Sequence, residues 1–350
     1  MAISMEIMTL NLDFEPIGLT NLPYLDMVWD RKYYETGKFS VQILAENYNS
    51  EMQYIYTKER PELGMIQQTA YSEKDETVTL SGFFYEKRLA DKIVYPMFEQ
   101  YGTREEFVAA VVERYKSDIP KLTIAAGQST GEKIRKQETG ATLEETAYST
   151  LQVEGKSFRC IYRFERDEIE FQIYQGIDRT QAQSVNNFVT FSKGFRNIQN
   201  VKAQNDSSAY KNYFVVGGQG EGADRIIAVL DLSGGGYRRE LFIDGGTKTY
   251  NPAEQSAEEY KSVLVQMAVE RAQRYVNISN VEFDTVADAG AKYLEDYDLG
   301  DKCDIILDRV GMSFEARIIE ILETWSGGEH QVTLTFGDKI PTLYERARVR

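Results

Sequence analysis

Apolar and polar residues alternate with a period of two through much of the first hundred positions. In Thr77-Val-Thr-Leu-Ser-Gly82, Val78 and Leu80 fall on one side and Thr77, Thr79 and Ser81 on the other, the pattern of a strand with one wet face. Strands are predicted from Phe39 to Leu44, Met52 to Thr57, Met65 to Tyr71 and Thr77 to Phe84. Turn-like clusters at Asn47-Tyr-Asn-Ser50 and Ser72-Glu-Lys-Asp-Glu76 separate them.

After Pro96 the period changes. Thr103-Arg-Glu-Glu106 is a capping box, and Phe107, Val108, Val111, Val112 and Tyr115 follow at helical spacing until Pro120. A second box, Thr142-Leu-Glu-Glu145, opens a short helix with Leu143, Ala147 and Leu151 on one face. A hairpin is predicted next, from Phe158 to Phe164 and Ile169 to Tyr174, so residues 99–178 read as a small α+β domain.

Alternation returns near Asn187. Strands are predicted at 188–191, 198–204, 210–216, 225–232 and 237–243. A third box, Ser256-Ala-Glu-Glu259, opens a helix over 256–275 with Tyr260, Val263, Leu264, Met267, Ala268 and Tyr275 as its apolar stripe. The finish is β again, at 281–286, 302–307, 313–324 and 331–336. Val332, Leu334 and Phe336 are expected inward, with Thr333 and Thr335 on the other face. The end of this last region, Gln331-Val-Thr-Leu-Thr-Phe-Gly337, echoes Thr77-Val-Thr-Leu-Ser-Gly82, as two copies of one β module would.

Composition agrees with a β-rich chain of 350 residues, large enough for two or three domains: it holds 23 Tyr and 17 Phe, rings that pack well on pleated sheets. The apolar stretches are too short to span a bilayer. The start, MAISMEIMTLNLDFEP, lacks the basic opening and continuous apolar run of a secretion signal, so synthesis in the cytoplasm without export is expected. Cys160 and Cys303 read as buried free thiols.

The net charge of −15 changes the picture more. Gripping nucleic acid requires a basic footprint, and here the bases are scattered; even Glu132-Lys-Ile-Arg-Lys136 reads as a solvated strip. Sequence-specific DNA binding is therefore not expected.

Candidate chemistry is sparse. Gly218-Gln-Gly220-Glu-Gly222-Ala223 matches the dinucleotide fingerprint formally, but a strand rather than a helix follows it, so it reads as a hairpin loop. Gly246-Thr-Lys248-Thr249 lacks the Gly-Lys pair of a phosphate loop. Glu144-Glu145 and Glu258-Glu259 sit in first helical turns, where the macrodipole favours acids. The loop Glu295-Asp-Tyr-Asp-Leu-Gly-Asp301 has oxygens enough for calcium but not EF-hand spacing, and reads as a turn. His330, the single histidine, is placed in a Gly-Gly-Glu-His turn and read as exposed, so no Ser/His/Asp or Cys/His triad can be assembled. No catalytic, cofactor-binding or metal-binding residue is assigned, and no cofactor is expected.

Three passages together resemble the baseplate hub (tail-protein) family of long-tailed phages, prophages and phage tail-like bacteriocins of Gram-positive bacteria. They are Leu25-Asp-Met-Val-Trp-Asp-Arg-Lys-Tyr-Tyr-Glu-Thr-Gly-Lys-Phe-Ser-Val-Gln-Ile-Leu44; Gly64-Met-Ile with Val78-Thr-Leu-Ser-Gly-Phe-Phe-Tyr-Glu-Lys-Arg-Leu89; and Tyr297-Asp-Leu-Gly-Asp301 with Ala316-Arg-Ile-Ile-Glu-Ile321 and Val332-Thr-Leu-Thr-Phe-Gly337. The resemblance implies an α+β, mainly β fold: two tube-type β-barrel or sandwich modules, at 1–98 and 179–350 (the latter with helix 256–275 on its flank), and the α+β domain 99–178 inserted between them. It further implies a non-enzymatic virion structural protein, assembled in the bacterial cytoplasm into a homotrimeric ring. Its partners would be the tail tube protein, the tape-measure protein and the spike or tail-tip proteins, with no membrane anchor. The face lining such a ring is expected to be neutral to acidic. The competing reading is a β-rich tail-associated hydrolase or carbohydrate-binding module, which needs a concave aromatic or acidic cleft.

Overall fold

The computed structural model describes residues 5–127, 129–286 and 289–337; the outermost ends of the first and last expected modules, 1–4 and 338–350, lie outside these. Eight strands, labelled in chain order, form one antiparallel sheet. They are β1 (Asp26–Lys32), β2 (Lys38–Leu44), β3 (Gln68–Ser72), β4 (Thr77–Phe83), β5 (Ile198–Asp206), β6 (Ile278–Thr285), β7 (Met312–Ser326) and β8 (Glu329–Phe336). Their order across the sheet is β3-β4-β2-β1-β7-β8-β6-β5. The strand order 3-4-2-1 of the first half is thus repeated as 7-8-6-5 in the second, in the same direction. Thr190–Ser192 and Lys302–Leu307 extend the sheet beside the first part of β7.

Cross-strand pairing makes one face of this wall apolar and the other polar. Val41 lies opposite Leu80 and Met27, and Phe39 lies opposite Trp29. Leu334 lies opposite both Ile321 and Phe283. These side chains are buried, and Val332, Leu334 and Phe336 point inward as their alternation predicts. Thr333 is partly exposed on the other face; Thr335, on that face too, is buried and donates to Glu320.

The echoed segments are β4 and β8, and they hold the same position in their respective halves. Each ends where a neighbour's backbone comes close. A Cβ on Gly82 would stand 1.9 Å from the Met65 carbonyl oxygen, and one on Gly337 would stand 2.2 Å from that of Ser279. Only glycine fits such an approach without a shift.

Behind the wall lie two cores, one around Trp29, Phe39 and Leu80, the other around Phe191, Phe283 and Phe336. A third core joins strands from the first hundred residues (Met8–Leu10, Tyr54–Tyr56, Gly64–Met65) to α1 (Arg104–Tyr115), α2 (Leu143–Gln152) and the hairpin Ser157–Arg163/Glu168–Tyr174. All three capping boxes form, with Thr103, Thr142 and Ser256 each accepting from the backbone N–H three residues on. The third helix, α3 (Ala257–Ala272), packs on its own three-stranded sheet, Tyr213–Gly217, Ile227–Asp231 and Glu240–Asp244. This helix–sheet unit is inserted between β5 and β6. Cys160 and Cys303 are buried, unbridged and in different cores.

Two expectations are corrected. The run Glu132-Lys-Ile-Arg-Lys136 is not a solvated strip: Ile134 and Lys136 are buried in the strand Ile134–Glu138, where Lys136 is paired with Glu270. His330 is not an exposed turn residue: it lies in β8 opposite Trp325, its ring stacked on the indole at 4.4 Å. Gly327 and Gly328 both have positive φ and close the hairpin in two residues, which draws Glu329 and His330 into the ladder.

Candidate functional site: the polar wall and its seam

The sequence-derived candidates are dispersed by the fold. Gly217 ends a strand whose partner, Ile227–Asp231, returns antiparallel, so the glycine run from Gly218 is a hairpin loop. Arg225 closes it by donating to the carbonyls of Gly218 (3.0 Å) and Gly217 (2.8 Å). Glu145 and Glu259 are the reciprocal members of capping boxes, and Glu144 accepts from Lys87 at 2.8 Å. In the 295–301 loop, Asp298 is taken by Arg31, while Asp301 accepts from Arg179 at 2.6 Å and from the Ile177 N–H at 2.7 Å. Those oxygens face arginines and backbone donors.

A cleft of about 470 Å³ lies between α2, α3 and strand Ile134–Glu138. Its carboxylates are already engaged. Lys136 reaches both oxygens of Glu270 at 2.7 Å, and Lys248 donates to the Gln137 carbonyl at 2.7 Å and lies 3.3 Å from Glu138. Burial alone would raise Glu138, but Lys136 and Lys248 outweigh it and hold this carboxyl below its usual range. Burial lowers Lys248. These groups cross-brace the two helical regions and are not free for acid–base chemistry.

What the fold does bring together is the polar face of the wall. Ser40, Thr79 and Ser81 occupy one half, and Thr324, Gln331, Thr333 and Thr335 the other. Its charged residues are mainly acids: Asp26, Asp30, Glu282, Asp284, Glu320 and Glu329, against Lys32, Lys38 and Lys202. Three of these acids, Glu282, Asp284 and Glu320, are held locally, Glu320 by the Thr335 hydroxyl at 3.3 Å. Glu282 pairs with Lys202 at 2.8 Å, and Asp284 accepts from Asn200 and Thr333, each at 2.7 Å. Asp30 differs from these: it is buried at the centre of the wall, and its Oδ1 has no partner among the described residues. Burial, reinforced by the neighbouring Glu320, pushes it up to about 7.

The two halves meet at the β1–β7 seam, paired from Asp26↔Ser326 to Lys32↔Glu320. Behind the seam lies a charged network that reading the sequence missed. Arg31 binds Glu62 at 2.7 Å and donates to the Tyr293 hydroxyl at 2.8 Å. Glu323 binds Arg60 at 2.6 Å and accepts from Tyr293 at 3.2 Å, with His330 Nε2 at 3.1 Å from its second oxygen. Burial opposes ionisation of Glu323, but hydrogen bonds from Arg60 and His330 overcome it and lower its pKa. A signal was available. Arg31 and Glu323 occupy inward positions of otherwise apolar alternations, Met27-Trp29-Arg31 and Ile321-Glu323-Trp325, where a charge needs a partner.

Among curated proteins, none matches the chain. Three solved structures share its fold along nearly their whole lengths. A tail protein of Neisseria meningitidis matches at TM-score 0.59 and 12% identity, covering 96% of this chain and 97% of its own. The 43 kDa tail protein of prophage MuSo2 from Shewanella oneidensis matches at 0.58 and 15%, covering 95% and 98%. Prophage tail protein gp18 of Listeria monocytogenes matches at 0.58 and 11%, covering 98% and 99%. A family model described as Siphovirus ReqiPepy6 Gp37-like protein matches residues 6–338. The chain has the mainly β fold of these tail proteins, and it belongs to the Siphovirus ReqiPepy6 Gp37-like family.

Proposed function

We propose that this tail protein is a structural subunit of the baseplate hub, acting by assembly and not by catalysis. Residues 1–98 and 179–350 supply two tube-type modules, with 99–178 inserted between them. Three chains close into a ring that joins the tail tube to the spike or tail-tip proteins. The tape-measure protein threads the ring, and the particle is built in the bacterial cytoplasm.

One observation carries this reading: the strand order 3-4-2-1 recurs as 7-8-6-5, in the same direction, within one continuous sheet. Related blocks set side by side with a constant step are what a closed ring of repeated units requires. The polar face then lines the channel. Hydroxyl and amide side chains with an acidic excess suit a wall past which a polymer slides, because they offer DNA phosphates few counterion-releasing contacts.

The test is to locate the subunit in assembled particles by electron cryomicroscopy and to measure the mass of the purified chain by light scattering. A trimeric ring at the junction of tube and tip is expected. A chain that remains monomeric, and that sits on the outside of the tail, would refute the reading.

A further inference from the structure

The helix–sheet unit inserted between β5 and β6 is covered on one face only. Phe214, Val216, Ala228 and Ile243 lie under α3 with Tyr260 and Leu264. Strand alternation turns Tyr213, Val215, Ile227, Val229 and Phe242 to the opposite face, where Val215 sits between Val229 and Phe242. Ile227, Val229 and Phe242 are 41%, 44% and 56% exposed, so this face carries a continuous apolar strip. Arginines close its two ends, Arg225 over Phe242 at 5.5 Å and Arg238 over Tyr213 at 4.3 Å. Both are already taken by carboxylates, Arg225 by Asp244 and Arg238 by Asp231. Glu240, opposite Tyr213 on this face, has no ion-pair partner among the described residues. An exposed apolar strip with a charged rim marks a contact site.

The chain itself supplies a segment of matching chemistry. Residues 338–350, Asp338-Lys-Ile-Pro-Thr-Leu-Tyr-Glu-Arg-Ala-Arg-Val-Arg350, hold four basic and two acidic side chains in a chain of net charge −15. Ile340, Leu343, Tyr344 and Val349 are their apolar members. The family match ends at residue 338, so almost all of this segment lies beyond the shared part.

Its starting point is the root of the inserted unit. Gly337 donates to the Arg317 carbonyl at 3.0 Å and sits against Ser279 and Asn280 of β6. Two positions along β6, Ile278 pairs with Asp206, where the unit leaves and rejoins the wall. Arg239 ties the near end of the strip to that root by donating to the Ser207 carbonyl at 2.9 Å. Thirteen extended residues span at most roughly 45 Å, more than twice the roughly 17 Å of a five-residue strand. So short a tether holds the segment at roughly millimolar effective concentration, and a modest contact then suffices.

We infer that residues 338–350 dock on the apolar strip of the inserted sheet in the same chain, their arginines meeting Glu240 and its neighbouring carboxylates. This goes beyond the assembly role and does not depend on it.

A photoreactive phenylalanine analogue at position 242 of the full-length chain tests the contact. Mixing isotopically labelled with unlabelled protein lets peptide masses separate links within a chain from links between chains. Irradiation should join position 242 to a peptide from residues 338–350 of the same chain. The same analogue at Val185, exposed elsewhere, should reach that segment in traces only. Arg346→Gln, Arg348→Gln and Arg350→Gln together should cut the yield at position 242 several-fold, as should raised salt. Links to any part of a second copy, or no link at all, would overturn the inference. A yield indifferent to the arginine substitutions would overturn it too, because charge would then not select this occupant.

Discussion

Arg60 and Glu323 meet as a two-pronged ion pair, Nε to Oε1 at 2.6 Å, in a place where neither side chain reaches solvent appreciably. Arg60 comes from the first hundred residues and Glu323 from β7, so the pair ties the two halves of the chain behind their shared seam. Two charges taken out of water are compensated only while both are present.

Arg60→Ala should accordingly cost about 3–5 kcal/mol, because it strands the Glu323 carboxylate in the interior. Chemical denaturation measures this. The double variant Arg60→Met/Glu323→Leu should recover most of the loss, since neither charge is then left unpaired. A single variant as stable as the parent would show that water reaches Glu323.

Phe336 is fully buried between Phe191 and Phe283, with ring centroids at 5.5 and 5.2 Å. Phe336→Ala should cost about 3–5 kcal/mol, the usual range for emptying an aromatic site in a packed core. An unchanged melting temperature would break the β8 assignment.

Stability should depend on pH through Asp30 and Glu86. Burial pushes each up to about 7, from ordinary values of 3.8 and 4.5. Between those values and 7 the folded protein holds protons that the unfolded chain has released, so this contribution is full at low pH and is lost as pH rises through 7. Asp298 and Glu323 work the other way: burial opposes them, but Arg31 and Arg60 with His330 hold them low, so they favour folding until acid protonates them. Urea midpoints should therefore fall between pH 5 and 7 and level off above that, and Asp30→Asn should flatten the slope. An unaltered slope in the variant would remove Asp30 from the account.

Purified chain should not retard duplex DNA in a gel near physiological salt. Reversing the wall charge with Glu282→Lys, Asp284→Lys and Glu320→Lys should create binding that weakens steeply as salt rises, since each new phosphate contact releases condensed counterions. Retardation by the unmodified chain would contradict an acidic channel wall.

Local chemistry was written in the sequence. Each capping box needs only four consecutive residues, and each strand alternation only five or six, so these elements were legible without knowledge of the fold. The Val-Thr-Leu echo was legible as well, and it sits on β4 and β8, which occupy the same place in their halves. His330 was misplaced because a two-residue and a five-residue hairpin loop both accommodate Ser-Gly-Gly-Glu-His. The choice lies in the positive φ of both glycines, which only the pairing of β7 with β8 requires.

What the tertiary structure alone decided was which distant segments meet. Nothing near Asp26–Lys32 specifies β7 as its neighbour, nearly three hundred residues away, because pairing is a matter of shape, register and shared burial across the whole sheet. The partners of Arg31 and Glu323 were set in the same way. The sequence showed two inward charges that could not stand alone, and only the packed halves supplied Glu62, Arg60 and Tyr293 to satisfy them. Local propensity and periodicity thus determined the strands and helices. The order of strands in the wall, and with it the two free edges, came from long-range packing that no local window of residues contains.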